Sequence, residues 1–184
     1  MPVQARIAPF INDTFYVTSE FWEDRSYYHK GIDIATVGAK PVYSVCDGTV
    51  VRSAYSGTAT TGYGNVIIIK ANDGMGYLFG HLSSRLVNVG DRVVTGQQIG
   101  IEGDTGEATG IHLHFEMQDL SSHDWDYSHE RSLYSNPADF MGIPNVEGTE
   151  AIYDGTPIPP TPQPTNKAKK HKFNFIFYKR KFLN

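Results

Sequence analysis

From about residue 7 to residue 143 the apolar positions fall into short runs with a two-residue period, and glycine-bearing turns break the runs. Val42, Ser44 and Cys46 alternate with Tyr43, Val45 and Asp47, and Gly48 then turns the chain into a strand over 49–52. Residues 66–70 predict a buried strand, Asn72-Asp73-Gly74 a turn, and residues 77–81 the returning arm of a hairpin. Short strands are expected at 87–90, 92–94 and 98–102, with a last clear one at 111–118. A period of 3.6 residues is almost absent; one short helix is predicted at Pro137–Met141. Many short strands and turns predict an all-β fold, either an antiparallel β-sandwich or a partly open barrel.

The pattern stops at residue 143. Residues 1–143 read as one domain and 144–166 as a proline-rich linker, whose TPIPPTPQP run at 156–164 has almost no side chain able to build a core. Residues 167–184 read as a basic, aromatic tail in which Phe173, Phe175 and Phe177 alternate with Asn174, Ile176 and Tyr178. That alternation suits a strand added to a sheet edge, and the charge suits an anionic surface.

Composition adds three constraints. The chain of 184 residues is 40% hydrophobic and 20% charged, a globular balance for a single core. The longest aliphatic run, 66–69, is far too short to span a bilayer, and the first ten residues lack the pattern of a secretion signal. Cys46 is the only cysteine, so no internal disulfide forms and it reads as a core residue. The net charge of −4 conceals an asymmetry: seven of the sixteen basic residues lie in the tail, leaving nine against twenty acids before it, a net of −11. An acidic body argues against nucleic acid as a partner.

Candidate chemistry lies in two places. In His112-Leu113-His114 a strand puts both imidazoles on one face, roughly 7 Å apart along the backbone. They could share a metal, divide metal binding and proton transfer between them, or be half-exposed strand residues. In the run His29-Lys30-Gly31-Ile32-Asp33 an extended chain places His29, Gly31 and Asp33 on one face and sends Ile32 and Ile34 to the core. Together, His29, Asp33 and one histidine of the triplet make a two-histidine, one-carboxylate set, the count of a catalytic zinc site with its fourth position open. His81, after Gly80, is a further site imidazole or a polar strand end.

These residues resemble the lysostaphin-type, or LytM-type, zinc endopeptidases that cut peptidoglycan peptides. The resemblance covers HKGIDIA (29–35), VYSVCDGTVV (42–51), YGNVIIIK (63–70), LFGHLSS (78–84), VGDRVVTGQQIGIEGDTGEATG (89–110) and HLHFE (112–116); SNPADFM (135–141) is similar to the family's closing segment. It implies the lysostaphin-type peptidase fold, with long loops around a groove. It also implies one Zn2+ per chain held by His29, Asp33 and His114, with His81 and His112 as unliganded catalytic histidines. His112 is then the base and His81 the transition-state stabiliser, roles that could be exchanged or shared. Two departures stand out: Ile111 replaces the proline common before the triplet, and Tyr27 and Tyr28 do not match the family's loop tyrosine cleanly. The insertion at 121–133, with His123 and His129 among acids, reads as a solvated loop rather than a second metal site.

The function expected from the resemblance is hydrolysis of peptide cross-links in bacterial peptidoglycan. A non-catalytic wall-binding or regulatory relative is the alternative. A biotinyl- or lipoyl-like carrier, suggested by VGDRVVTGQQIG, lacks the exposed turn lysine that would bear the cofactor. With no leader in view, the linker and tail suggest a phage virion protein, associated with phage tail proteins and acting at the host cell wall.

Overall fold

A computed structural model describes residues 1–23 and 28–156. Its strands are β1 (Val3–Gln4), β2 (Asp13–Ser19), β3 (Ile32–Thr36), β4 (Pro41–Tyr43), β5 (Gly48–Thr58), β6 (Thr61–Ala71) and β7 (Met75–Leu82). There follow β8 (Ser84–Arg85), β9 (Arg92–Val93), β10 (Gln98–Ile101), β11 (Leu113–Asp119), β12 (Tyr134–Ser135) and β13 (Glu150–Tyr153). A single 3-10 turn at Arg131–Leu133 and the helix α1 (Pro137–Met141) complete the described elements. The helix starts where Asn136 accepts a hydrogen bond from the Ala138 amide with Pro137 in its first turn, and ends at Gly142 with φ 72°.

The main sheet runs β1-β13-β2-β3-β11-β7-β6-β5-β9, with β12 added beside β11. Its pairings are antiparallel except for β1 with β13. A second sheet, β4-β10-β8, contributes Val42 and Ile99 to the same core. The fold is therefore nearly all-β, with an open main sheet rather than a closed barrel.

The two faces of the main sheet have different work. Ile32 and Ile34, Ile67 and Ile69, Tyr77 and Phe79, and Leu113, Phe115 and Met117 point into one large core. The intervening residues on the other face include Asp33, His114 and Glu116, together with a smaller apolar cluster of Val66, Ile68 and Leu78. Trp125, from the 121–133 segment, packs on that smaller cluster. The segment expected to be a solvated loop is mostly exposed but anchored at this point, and it walls one side of the groove.

Two local expectations change. Residues 87–90 form no strand: Gly90 has φ 93° and its amide bonds the Val50 carbonyl, so the alternation of Val87 and Val89 ends in a turn with Val89 exposed. Within the stretch read as a linker, Glu150–Tyr153 form β13, which buries Ala151 and Tyr153 between β1 and β2. The proline run beyond Thr156 and the basic tail lie outside the described residues.

Candidate metal centre

β3 and β11 pair with Asp33 directly opposite His114, which brings a carboxylate and an imidazole together on the face away from the core. Asp33 Oδ1 lies 2.7 Å from His114 Nδ1. His29, just before β3, places Nε2 3.1 Å from Asp33 Oδ1 and 3.0 Å from His114 Nδ1. All three side chains are buried, and theirs is the metal-compatible cluster found among the described residues.

The donor set fits a zinc ion. Tetrahedral bonds of about 2.0–2.1 Å separate donors by roughly 3.3 Å, so the edges of this triangle need to open by roughly 0.2 to 0.6 Å. The remaining ring nitrogens are already committed. His29 Nδ1 lies 2.7 Å from the Glu20 carbonyl oxygen and His114 Nε2 lies 2.8 Å from Glu116 Oε1. Those oxygens only accept, so a proton sits on each of these nitrogens, and His29 Nε2 and His114 Nδ1 are the atoms that would be left for a metal.

His112 and His81 repeat the arrangement. His112 Nδ1 donates to the Gly110 carbonyl at 2.8 Å and its Nε2 lies 3.7 Å from Asp33 Oδ1. His81 Nδ1 donates to the Thr105 carbonyl at 2.8 Å, and its ring centre lies 4.7 Å from that of His112. His81 reaches this position through a bulge. In β7, Gly80 and His81 oppose the single residue Val66 of β6, and His81 has φ 60°. The extra residue reverses the alternation: Leu82 enters the core and His81 turns to the groove.

Charge follows burial and pairing. Burial opposes ionisation of Asp33, but hydrogen bonds from His114 and His29 outweigh it and hold the carboxyl far below its ordinary range. Burial likewise disfavours a charged His114, yet its hydrogen bonds to Asp33 and Glu116 push its pKa up to about 9. His81 moves the other way, to about 4, chiefly through burial and then through repulsion from His114 and His112. Cys46 is buried away from the site, and burial pushes its thiol up to about 12.

The cluster opens on a cavity of about 530 Å³ that also meets Lys30, Tyr63 and His129. A second hollow of about 430 Å³ shares Asp33 and His112 and continues past Ser19, Thr109 and Glu147. A groove thus runs to both sides of the candidate metal centre. Lys30 ties the wall loop to it, donating to the Tyr127 carbonyl at 3.2 Å between the rings of Tyr63 and Tyr134. His29, Asp33, His81, His112 and His114 all line this region; His123 does not, and His129 reaches its edge as an exposed residue. Sequence reasoning gave no role to Glu116 or Tyr63. The signal for Glu116 was its position two residues after His114, on the same strand face.

The model for Peptidase family M23 matches residues 27–126, more than half of the chain. The chain belongs to peptidase family M23. Among curated M23 relatives, the peptidoglycan DD-endopeptidase ShyA of Vibrio cholerae is 39% identical over 89 residues, which are 48% of this chain and 20% of ShyA. The murein hydrolase activator NlpD of Escherichia coli is 41% identical over 90 residues, 49% of this chain and 23% of NlpD. The chain therefore spans about a fifth to a quarter of these relatives' length. Among solved structures, the peptidase lysostaphin from Staphylococcus simulans superposes with a TM-score of 0.58 at 30% identity, covering 70% of this chain and 49% of lysostaphin. A zinc-containing peptidase from Vibrio cholerae gives 0.52 at 32% identity, covering 62% and 37%. The open, nearly all-β architecture is the lysostaphin-type M23 fold.

Proposed function

We propose that this M23 chain is a zinc-dependent endopeptidase that hydrolyses peptide cross-links of bacterial peptidoglycan. The observation that carries the reading is the convergence of His29, Asp33 and His114 beside two further histidines, each with its Nδ1 tied to a backbone carbonyl. A zinc ion held by those three side chains supplies Lewis-acid chemistry, acidifying water and polarising a peptide carbonyl. The zinc-containing relative and the DD-endopeptidase ShyA support that choice of metal and substrate.

The chain's own groups divide the proton work. His112 Nε2 accepts the proton of the attacking water, and the nearby Asp33 charge steadies the resulting imidazolium. His112 passes that proton on to the leaving amine, and His81, whose ring stands beside it, is the transition-state stabiliser. The groove walls hold the peptide extended across the centre.

Purified walls from several chemotypes, digested by the full chain and analysed by mass spectrometry, test the reading. New amino and carboxyl ends are expected, together with loss of release on chelation and in His114→Ala. Equal solubilisation by wild type and His114→Ala overturns it. The likeness to NlpD favours a second reading, activation of another wall hydrolase; in that case both proteins are inert alone and stimulate a partner hydrolase equally. For the setting we propose a phage virion acting at the host wall, supported by the proline-rich linker and basic tail of the sequence. Peptide mass spectrometry of purified virions tests it, and a chain confined to the cell fraction sinks it.

A further inference from the structure

Glu116 is a carboxylate with no solvent exposure, two residues beyond His114 on β11. Its Oε1 accepts from His114 Nε2 at 2.8 Å and from the Tyr63 hydroxyl at 2.7 Å. Its Oε2 is buried with no hydrogen-bond partner among the described residues. Burying an anion costs several kcal/mol after relaxation, and a side chain kept only for packing would not carry that cost. The neighbours make room for the contact. A Cβ on Gly31 would stand 2.8 Å from His114 Nε2 and 2.9 Å from Glu116 Cγ, so glycine there is what lets the two side chains meet. Tyr63 reaches the same oxygen from β6, with its ring against that of His114 at 5.5 Å and Lys30 Nζ 5.5 Å from its centroid.

We propose that Glu116 and Tyr63 form a positioning pair that decides which nitrogen His114 offers to the metal. The inference rests on the metal centre of the proposed function and adds two residues to it. A carboxylate only accepts, so His114 must carry its proton on Nε2 and leave the Nδ1 lone pair for the cluster. A glutamine in the same place could turn its amide and donate, and the wrong tautomer would then be stable. The Tyr63 hydroxyl donates to the same oxygen and fixes the plane of the carboxylate. Neither residue touches the reacting atoms; both act through His114.

The test uses the full chain as wild type, Glu116→Gln and Tyr63→Phe. Zinc affinity is read by competition with a chromophoric chelator, the Co2+-loaded protein by its visible absorption, and the fold by the melting of the metal-free protein. Glu116→Gln is expected to weaken zinc binding about 10- to 100-fold and to shift the Co2+ bands while the protein still folds. Tyr63→Phe is expected to do the same to a smaller degree, and it carries the test if Glu116→Gln fails to fold. Folded variants that bind zinc like wild type, with unchanged Co2+ spectra, overturn the proposal, including where their melting temperature falls, since that pattern marks a tie between β11 and β6 alone. A wild-type chain that binds no metal overturns this inference and the metal-dependent function together; wild type that binds beside equally competent variants overturns this one only.

Discussion

A proton and a metal ion compete for one atom, His114 Nδ1. In the metal-free cluster the hydrogen bonds to Asp33 and Glu116 outweigh burial and raise the His114 pKa from its ordinary 6.5 to about 9. The sign follows from linkage. A raised folded-state pKa stabilises the metal-free protein fully below about 6.5, and that contribution is lost as pH climbs through about 9. A metal must displace the same proton, so its affinity rises about tenfold per pH unit up to roughly 9 and then levels. Asp33, held far below its usual range, is ionised throughout and adds no slope. Melting curves with and without zinc at pH 6.5, 7.5 and 8.5 check this. The gap between them should widen with pH, and a constant gap means that His114 does not carry the proton.

The strands explain which parts of this site can be read from residues alone. A two-residue period is local, so it puts His112, His114 and Glu116 on one face and Ile32 and Ile34 in the core without any knowledge of the fold. The convergence of His29, Asp33 and His114 follows once β3 and β11 are neighbours, with Asp33 opposite His114. His81 is harder, because period alone sends it to the same face as Phe79. The bulge and its positive φ bring it to the groove, and nothing in GHL announces a left-handed histidine. β13 is hardest, since a four-residue strand between Gly148 and Gly155 finds its partners more than a hundred residues away. That return matters to the metal centre. Asn145 exchanges two hydrogen bonds with the Phe21 backbone, and the Glu147 amide donates to Glu20 Oε1, next to the carbonyl that orients His29. A chain ending at residue 143 therefore loses more than an edge. Burial of Ala151 and Tyr153 alone is worth about 2–3 kcal/mol, and β2 is left unpaired on one side. The expected outcome is a clearly lower melting temperature and weaker zinc binding than for a chain ending at residue 156. Equal melting and equal binding for the two would detach β13 from the folded unit.

Across the whole chain, chemistry and charge are separated. Every group assigned to catalysis sits in the part before residue 167, whose formal net charge is −11, while residues 167–184 carry seven basic side chains and no acid. On the proposed function, an acidic body would be repelled by an anionic wall at low salt, and a cationic segment would raise its rate of encounter with the polymer. On the same reading, a small neutral peptide would reach the candidate metal centre without such help. Deleting residues 167–184 is thus expected to leave hydrolysis of short cross-link peptides unchanged and to reduce binding to intact anionic walls. The deficit should be large at low salt and vanish near 1 M, where charges are screened within about 3 Å. Sedimentation of wild type and deletion with purified walls across that range, beside a peptide assay, separates the two effects. Loss of activity on short peptides would make the tail part of the catalytic fold, and a wall-binding deficit that ignores salt would assign its contribution to the alternating phenylalanines rather than to charge.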